Sequence, residues 1–291
     1  MRVLITGCNG QVGHCLVEQL AGHAELLAVD RDQLDITDSV AVDTTVNEFK
    51  PDIIINAAAH TAVDKAEEEA ELSYAINRDG PKYIAQAAAN VGAAILHIST
   101  DYVFAGNKDG LYVENDETEP QGIYGQSKLA GEKAVIEACS KHIILRTAWV
   151  FGQHGNNFVK TMLRLAKDRD TLGIVGDQVG GPTCADDIAS ALITIAKQVV
   201  SGKNAQYGVY HFSGMPHVSW FEFAQTIFEQ AEEQELLSSK PRLNSIATAD
   251  YPTPAKRPAN SKLDTKKIEQ AFNIQPSDWR SALTDLKPYT N

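Results

Sequence analysis

The chain has 291 residues, 43% of them hydrophobic and 22% charged, with a formal charge of −12. That balance belongs to a soluble globular protein with a core of ordinary size, not to a disordered one. The acidic surface argues against a nucleic-acid partner, and no stretch approaches the ~18 apolar residues of a membrane span.

The first short apolar run, residues 3–5, leads into a glycine turn, so it reads as a buried strand and not as a signal peptide. Similar runs follow at 26–29, 53–56, 95–99 and 143–146. Between them, segments at 12–20, 40–49, 78–91 and 128–139 have helical spacing. Strand, helix, strand at this rhythm predicts βαβ units and a parallel sheet buried on both faces. Past Phe151 the rhythm loosens. Helices are expected at 157–167, 186–198, 221–234 and 265–272, extended pieces at 171–176 and 207–213, and a loop or extended strand over the proline-bearing stretch 251–261. The expected class is α/β: a Rossmann-type doubly wound parallel sheet over residues 1–150, with a smaller C-terminal substrate-binding lobe over 151–291 whose segments can return to the first domain.

Gly7-Cys8-Asn9-Gly10-Gln11-Val12-Gly13 follows the first strand directly. Gly7 permits a sharp exit, Gly10 clears the approach of a pyrophosphate, and Gly13 lets the helix lie close to the sheet. The free N–H groups of the helix start suit an anion. Asp30 closes the second strand, where an acid accepts hydrogen bonds from a ribose diol and repels a 2′-phosphate. Arg31 follows at once and attracts one, so NADH and NADPH both remain open as cofactors. Asp35 and Ile36 suit the edge and face of an adenine. Ala57, Ala58 and Ala59, after Asn56, bring the backbone close to a flat ligand.

Tyr124 and Lys128 form Tyr-x-x-x-Lys, which puts both side chains on one face of a helix. A ketone that accepts hydride becomes an alkoxide, and a phenol beside an ammonium protonates it at neutral pH. Thr100, in the strand-end string Ser99-Thr100-Asp101, is the hydroxyl placed to hold the carbonyl. No GxSxG elbow, HExxH motif or Cys/His cluster occurs, so no metal site is expected. The four cysteines, Cys8, Cys15, Cys139 and Cys184, lack framework spacing and read as reduced thiols in a cytoplasmic protein.

Several longer strings carry a family resemblance. They are Asn56–Glu67 (NAAAHTAVDKAE), Ser99–Phe104 (STDYVF) and Tyr124–Glu132 (YGQSKLAGE), then Arg146–Val150, Gly155–Phe158, Asp177–Thr183 and Arg257–Ser261 (RPANS). With them the chain resembles the dTDP-4-dehydrorhamnose reductases, within the extended short-chain dehydrogenases, over nearly its whole length. The resemblance implies NAD(P)H-dependent reduction of a dTDP-linked 4-keto sugar, in a protein that works alone or as a homodimer. It implies a catalytic trio of Thr100, Tyr124 and Lys128, and cofactor contacts from Gly10, Gln11, Val12, Asp30, Asp35, Ile36, Ala59, His60, Thr61, Tyr124 and Lys128. It implies substrate contacts from Thr100, Asp101 and Trp149; an indole offers a sugar ring a flat face and one N–H donor. Arg257 reads equally as a fork for the diphosphate or as half of a structural salt bridge. One departure stands out: family members that bind a metal between subunits use a glutamate early in the first helix, where this chain has His14 and Cys15. Another sugar-nucleotide reductase or epimerase, or a non-catalytic regulatory subunit on the same fold, are the rival readings; the intact trio argues against the last.

Overall fold

The computed structural model describes residues 1–202 and 206–290. Its centre is a parallel sheet of six strands: β1 (Arg2–Thr6), β2 (Glu25–Val29), β3 (Ile53–Asn56), β4 (Ala94–Thr100), β5 (His142–Thr147) and β6 (Gly208–His211). They lie in the order β6-β5-β4-β3-β1-β2. The larger helices are α1 (Gln11–Leu20), α2 (Ser39–Phe49), α3 (Gly80–Val91), α4 (Ile123–Ala138), α5 (Ala185–Val200) and α6 (Trp220–Glu233).

Successive strand residues point to opposite faces, and both faces are covered. Val3, Ile5, Ile53 and Ile55 join α1 and α5 on one side. Leu4 and Ile54 join α2 and α3 on the other. Ile53, Ile54 and Ile55 are all fully buried. Each such side chain contributes about 1.5–3 kcal/mol from lost water contact, which explains why β3 reads as an unbroken apolar run. The order of strands reverses between β1 and β3, and ligands of open parallel sheets bind at the carboxyl ends there.

The second lobe is made of small pieces. Val179–Gly180, Val218–Ser219 and Asn260–Ser261 form one sheet, Thr171–Val175 pairs with Arg242–Ile246, and Val150–Phe151 pairs with Thr183–Cys184. Phe151, Met162, Phe223, Phe228 and Trp279 pack its core. Parts of the stretch 151–291 sit on the first core instead. Helix α5 packs along α1, β6 extends the sheet beside β5, and Ile268 and Phe272 join the same cluster.

Three elements depart from the expected spans. The helix bearing Tyr-x-x-x-Lys starts at Ile123, five residues before the expected 128. Its N-cap Gly122 has no side chain to offer, and the carboxylate of Glu67 accepts from the Ile123 N–H at 2.8 Å instead. Ahead of α3 the chain forms a π-helical turn, Ala75–Asp79, that buries Asn77. The strand Arg242–Ile246 was not expected, because its sequence RLNSI shows no apolar run.

Candidate active site

The glycine turn leaves β1 at the switch point. Gly7 has φ +72°, and a Cβ there would meet the Ala58 nitrogen at 2.6 Å. A Cβ on Gly13 would lie 2.0 Å from the Gly7 carbonyl oxygen, so α1 must sit this close to the turn. The N-cap of α1 is Gly10, with no side-chain cap, so first-turn N–H groups stay available to an anion. Beside the turn is a cleft of about 300 Å³ lined by Gly7, Gly10, Asp30, Arg31, Asp35, Ile36 and Ala57–Ala59. Leu34, Leu72, Ala75 and Ile76 complete its apolar wall. Leu72 and Ile76 were missed in the sequence because their short helical turns carry no motif. A larger surface cavity of about 590 Å³, lined by residues including Asp186, Asp187 and Ser277, contains none of the expected site residues.

Two acids of this cleft are already engaged. Asp30 accepts from the N–H of Asn9 at 2.9 Å and of Arg31 at 2.7 Å, so it braces the phosphate turn. Asp35 accepts from the backbone and hydroxyl of Thr37, and these bonds hold its carboxyl below the usual range. Gln11, Val12, Gly13, His60 and Thr61 lie outside the cleft lining. Val12 is packed into the core, so a contact with a ligand is left to its backbone. His60 is pinned through its ring to Ser73 at 2.8 Å and through its N–H to Asn77 at 2.8 Å. Asn77 also donates to the Ser127 hydroxyl at 3.0 Å. One buried amide thus ties the loop after β3 to the helix of Tyr124; nothing in its sequence surroundings marks it.

Thr100 ends β4, and Tyr124 and Lys128 lie one turn apart on α4. The Thr100 hydroxyl donates to Asp101 Oδ1 at 3.0 Å. Burial pushes the Tyr124 phenol well above its ordinary value, and the Thr100 hydroxyl beside it offsets part of that rise. Tyr102 meets the Tyr124 ring edge-on, with centroids 5.4 Å apart. Lys128 is 2% exposed and donates to the Ile98 carbonyl at 2.7 Å. Burial lowers its ammonium to about 8, and Glu132 opposes the fall. The expectation that Lys128 lowers the phenol is therefore not met in this state. Its ammonium is spent on Ile98, and desolvation dominates both groups.

Beneath them Glu132 takes both arms of Arg146, at 2.9 and 2.7 Å, and the hydroxyl of Ser99 at 2.5 Å. Asp101 accepts from Ser261 at 2.5 Å, and burial pushes its carboxyl up to about 6. Arg257 pairs with Asp64 at 2.5 Å and approaches the Tyr102 hydroxyl at 3.4 Å. Of its two readings, the structural salt bridge is the one formed here. The late RPANS segment thus closes over Asp64 and Asp101, which lie almost 200 and 160 residues earlier.

Trp149 has φ +50°, a strained value for a bulky residue. Its ring stacks on Trp220 at 3.5 Å and 10°. A Cβ on Gly180 would touch the indole at 2.7 Å, so that glycine makes room for it. The partner Trp220, at the start of α6, was not foreseen.

The fold also assembles a group that spacing in the sequence conceals. His14, Glu18 and His154 offer donor atoms that all lie within 4.8 Å of one another. The expectation of no metal site rested on residues near in sequence and did not weigh this grouping.

The sequence matches the family described as RmlD substrate binding domain over residues 1–289. It is 54% identical over 290 residues to the dTDP-4-dehydrorhamnose reductase of Aggregatibacter actinomycetemcomitans, covering 99% of each chain. Against the enzyme of that name from Escherichia coli strain K12 the identity is 45% over 284 residues, covering 96% of this chain and 95% of the relative. The crystal structure of dTDP-4-dehydrorhamnose reductase from Bacillus anthracis str. Ames in complex with NADP superposes with a TM-score of 0.89 at 39% identity, covering 97% of this chain and 96% of that one. The ortholog from Clostridium acetobutylicum ATCC 824 superposes with a TM-score of 0.90 at 42% identity, covering 98% and 97%.

Proposed function

This chain belongs to the RmlD substrate-binding family of dTDP-4-dehydrorhamnose reductases, and from that membership we propose how its own residues carry the reaction. It reduces the C4 ketone of dTDP-4-dehydro-L-rhamnose with NAD(P)H and yields dTDP-L-rhamnose, the last step of dTDP-L-rhamnose synthesis. The observation that carries the reading is the meeting of Thr100, Tyr124 and Lys128 on the sheet edge that also holds the glycine turn.

The residues present fit a dinucleotide. Gly10 keeps a side chain out of the approach to the turn, the first turn of α1 is uncapped, and an apolar wall runs from Ile36 to Ile76. When bound, the reduced nicotinamide supplies the hydride for C4. Thr100 donates to the substrate carbonyl in place of its present bond to Asp101. Tyr124 then gives its proton to the oxygen at C4. Loss of that proton leaves a buried phenolate, which desolvation strongly disfavours, so a cation is needed beside it. Lys128 supplies it, because an ammonium that loses its proton near pH 8 sits close to the working range. This assignment asks Lys128 to give up the Ile98 carbonyl as the ligands bind. Glu132, held by Arg146, keeps a negative charge behind the ammonium. Trp149 faces the sugar, and Asp101 with Ser261 fixes the floor beneath it.

The partner is a dTDP-sugar. Among the described residues no helix is long and apolar enough to cross a membrane, and the cytoplasm is the compartment this chemistry suits. The test is loss of NAD(P)H absorbance with dTDP-4-dehydrorhamnose as substrate, set beside a UDP-linked 4-keto sugar. Equal or faster turnover of the UDP compound would reject the assignment of substrate. Tightly held NAD after purification would favour the epimerase reading.

A further inference from the structure

We propose that His14, Glu18 and His154 form a binding site for one divalent transition-metal ion, Zn²⁺ by preference, that fastens the 152–157 loop to the phosphate-binding helix. Nothing in the reductase reaction requires these three residues, and the inference goes beyond it.

The geometry comes from two parts of the chain. His14 and Glu18 are four residues apart on α1, so they share one helix face. His154 arrives from the loop between Val150–Phe151 and the helix Phe158–Leu165. Its ring stacks on His14 with centroids 3.9 Å apart and planes 25° from parallel. Its Nε2 stands 3.7 Å from Glu18 Oε2. Two donors on one tetrahedral ion are ~3.3–3.5 Å apart, so that pair is already near bonding distance. All three donors fall within 4.8 Å, a gap that small rotations of the exposed Glu18 and the half-buried His14 and His154 close.

The chemistry selects the ion. Two imidazoles and one carboxylate suit Zn²⁺, Ni²⁺ or Cu²⁺, whereas Mg²⁺ prefers oxygen donors and retained waters. Three protein ligands leave one tetrahedral position to water. Among the described residues, no hydrogen bond occupies the His14 ring, and the weak pairing with Glu18 is the only polar contact of the His154 ring. Stacked imidazoles beside a carboxylate put three donor atoms around one point, where an ion gathers them.

The loop is prepared for this placement. Asn157 Nδ2 bonds both Gln11 Oε1 at 3.1 Å and the Gly152 carbonyl at 2.7 Å. Gly155 has φ +66° and packs so closely that a Cβ would lie 3.1 Å from Gln11 Cγ. These contacts set the loop on the first turn of α1, one residue from Gly10. A metal ion at His14 and His154 adds a second fastening one turn further along.

The test uses the full chain without an affinity tag, stripped with EDTA and titrated with Zn²⁺ by calorimetry and with Co²⁺ by visible absorption. Expected are one Zn²⁺ per chain, the intense visible bands of tetrahedral Co²⁺, and slower hydrogen exchange across 152–157 with metal bound. His154→Gln and Glu18→Gln should each weaken binding at least ~tenfold, since each removes one of three ligands. Cys15→Ser should leave affinity unchanged, because that buried thiol bonds the Gln11 carbonyl and is not a ligand here. Circular dichroism of each variant without metal establishes that it folds. Absence of stoichiometric Zn²⁺ binding overturns the proposal. So does binding that survives in both His154→Gln and Glu18→Gln, or that is lost in Cys15→Ser alone.

Discussion

Replacing Lys128 by Met should make the protein more stable and catalytically dead at the same time. The ammonium is 2% exposed, and burial lowers it from 10.5 to about 8. At ~1.36 kcal/mol per pH unit, keeping it charged at neutral pH costs the folded state about 3 kcal/mol. Methionine fills a similar volume without charge. The variant loses the bond to the Ile98 carbonyl, worth ~1–2 kcal/mol. Glu132 is not stranded, because Arg146 and Ser99 still satisfy it. A net gain of roughly 1–2 kcal/mol follows, or a few degrees in melting temperature. The sign of the pH dependence separates this cause from improved packing. Since the folded pKa lies below the unfolded one, the wild type gains stability as pH rises from about 8 towards 10.5, while the variant does not. The gap between the two, measured by urea unfolding without cofactor, is therefore full below pH 8 and closes above it. A variant no more stable than wild type at pH 7, or a gap unchanged at pH 10, would refute the reasoning.

Other substitutions address single contacts. Tyr124→Phe removes only the proton donor and should lower kcat ~10²–10⁴-fold with cofactor affinity intact; a variant keeping a tenth of the wild-type rate would exclude Tyr124 as the acid. Gly180→Ala pushes on the indole of Trp149, since the new Cβ falls 2.7 Å from it. Its KM for the sugar nucleotide should rise severalfold while the Kd for NADPH stays constant, and joint loss of both would show that Trp149 serves the core. Asp30→Ala should raise kcat/KM for NADPH relative to NADH, because repulsion of a 2′-phosphate disappears. Both values should also fall, because the Asn9 and Arg31 N–H groups lose their acceptor. An unchanged ratio would place recognition of the adenosine ribose elsewhere.

What the sequence makes legible follows from how local each cause is. The strand β3 is readable because Ile53–Ile55 are buried on both sides and leave no polar position. The glycine turn is readable because its geometry needs residues that lack a Cβ. The start of α4 is not, since its cap is Glu67, 56 residues earlier in the chain. Nor is Asn77, whose partners His60 and Ser127 lie 17 and 50 residues away. Tyr-x-x-x-Lys names the right helix but not its electrostatics. The rise at Tyr124 and the fall at Lys128 come from burial that only the finished fold produces. Trp149 is placed at the seam by the sequence, and its stack on Trp220 joins two lobes that periodicity cannot dock.

The late arrival of α5 and β6 has a consequence for the growing chain. When Trp149 leaves the ribosome, the phosphate turn and Tyr-x-x-x-Lys have both been made, yet β5 is still a bare edge of the sheet. The flank of α1 that later meets Ile188, Leu192 and Ile195 is equally uncovered. An unpaired strand edge and an exposed apolar helix face are the features that invite pairing with other nascent chains. The helix face is covered once α5 has emerged, and the strand edge only once His211 has. The first 150 residues are thus no detachable module: the last strand of their sheet is written only after the other lobe has begun, and a gene fusion cut at Trp149 would inherit an open sheet.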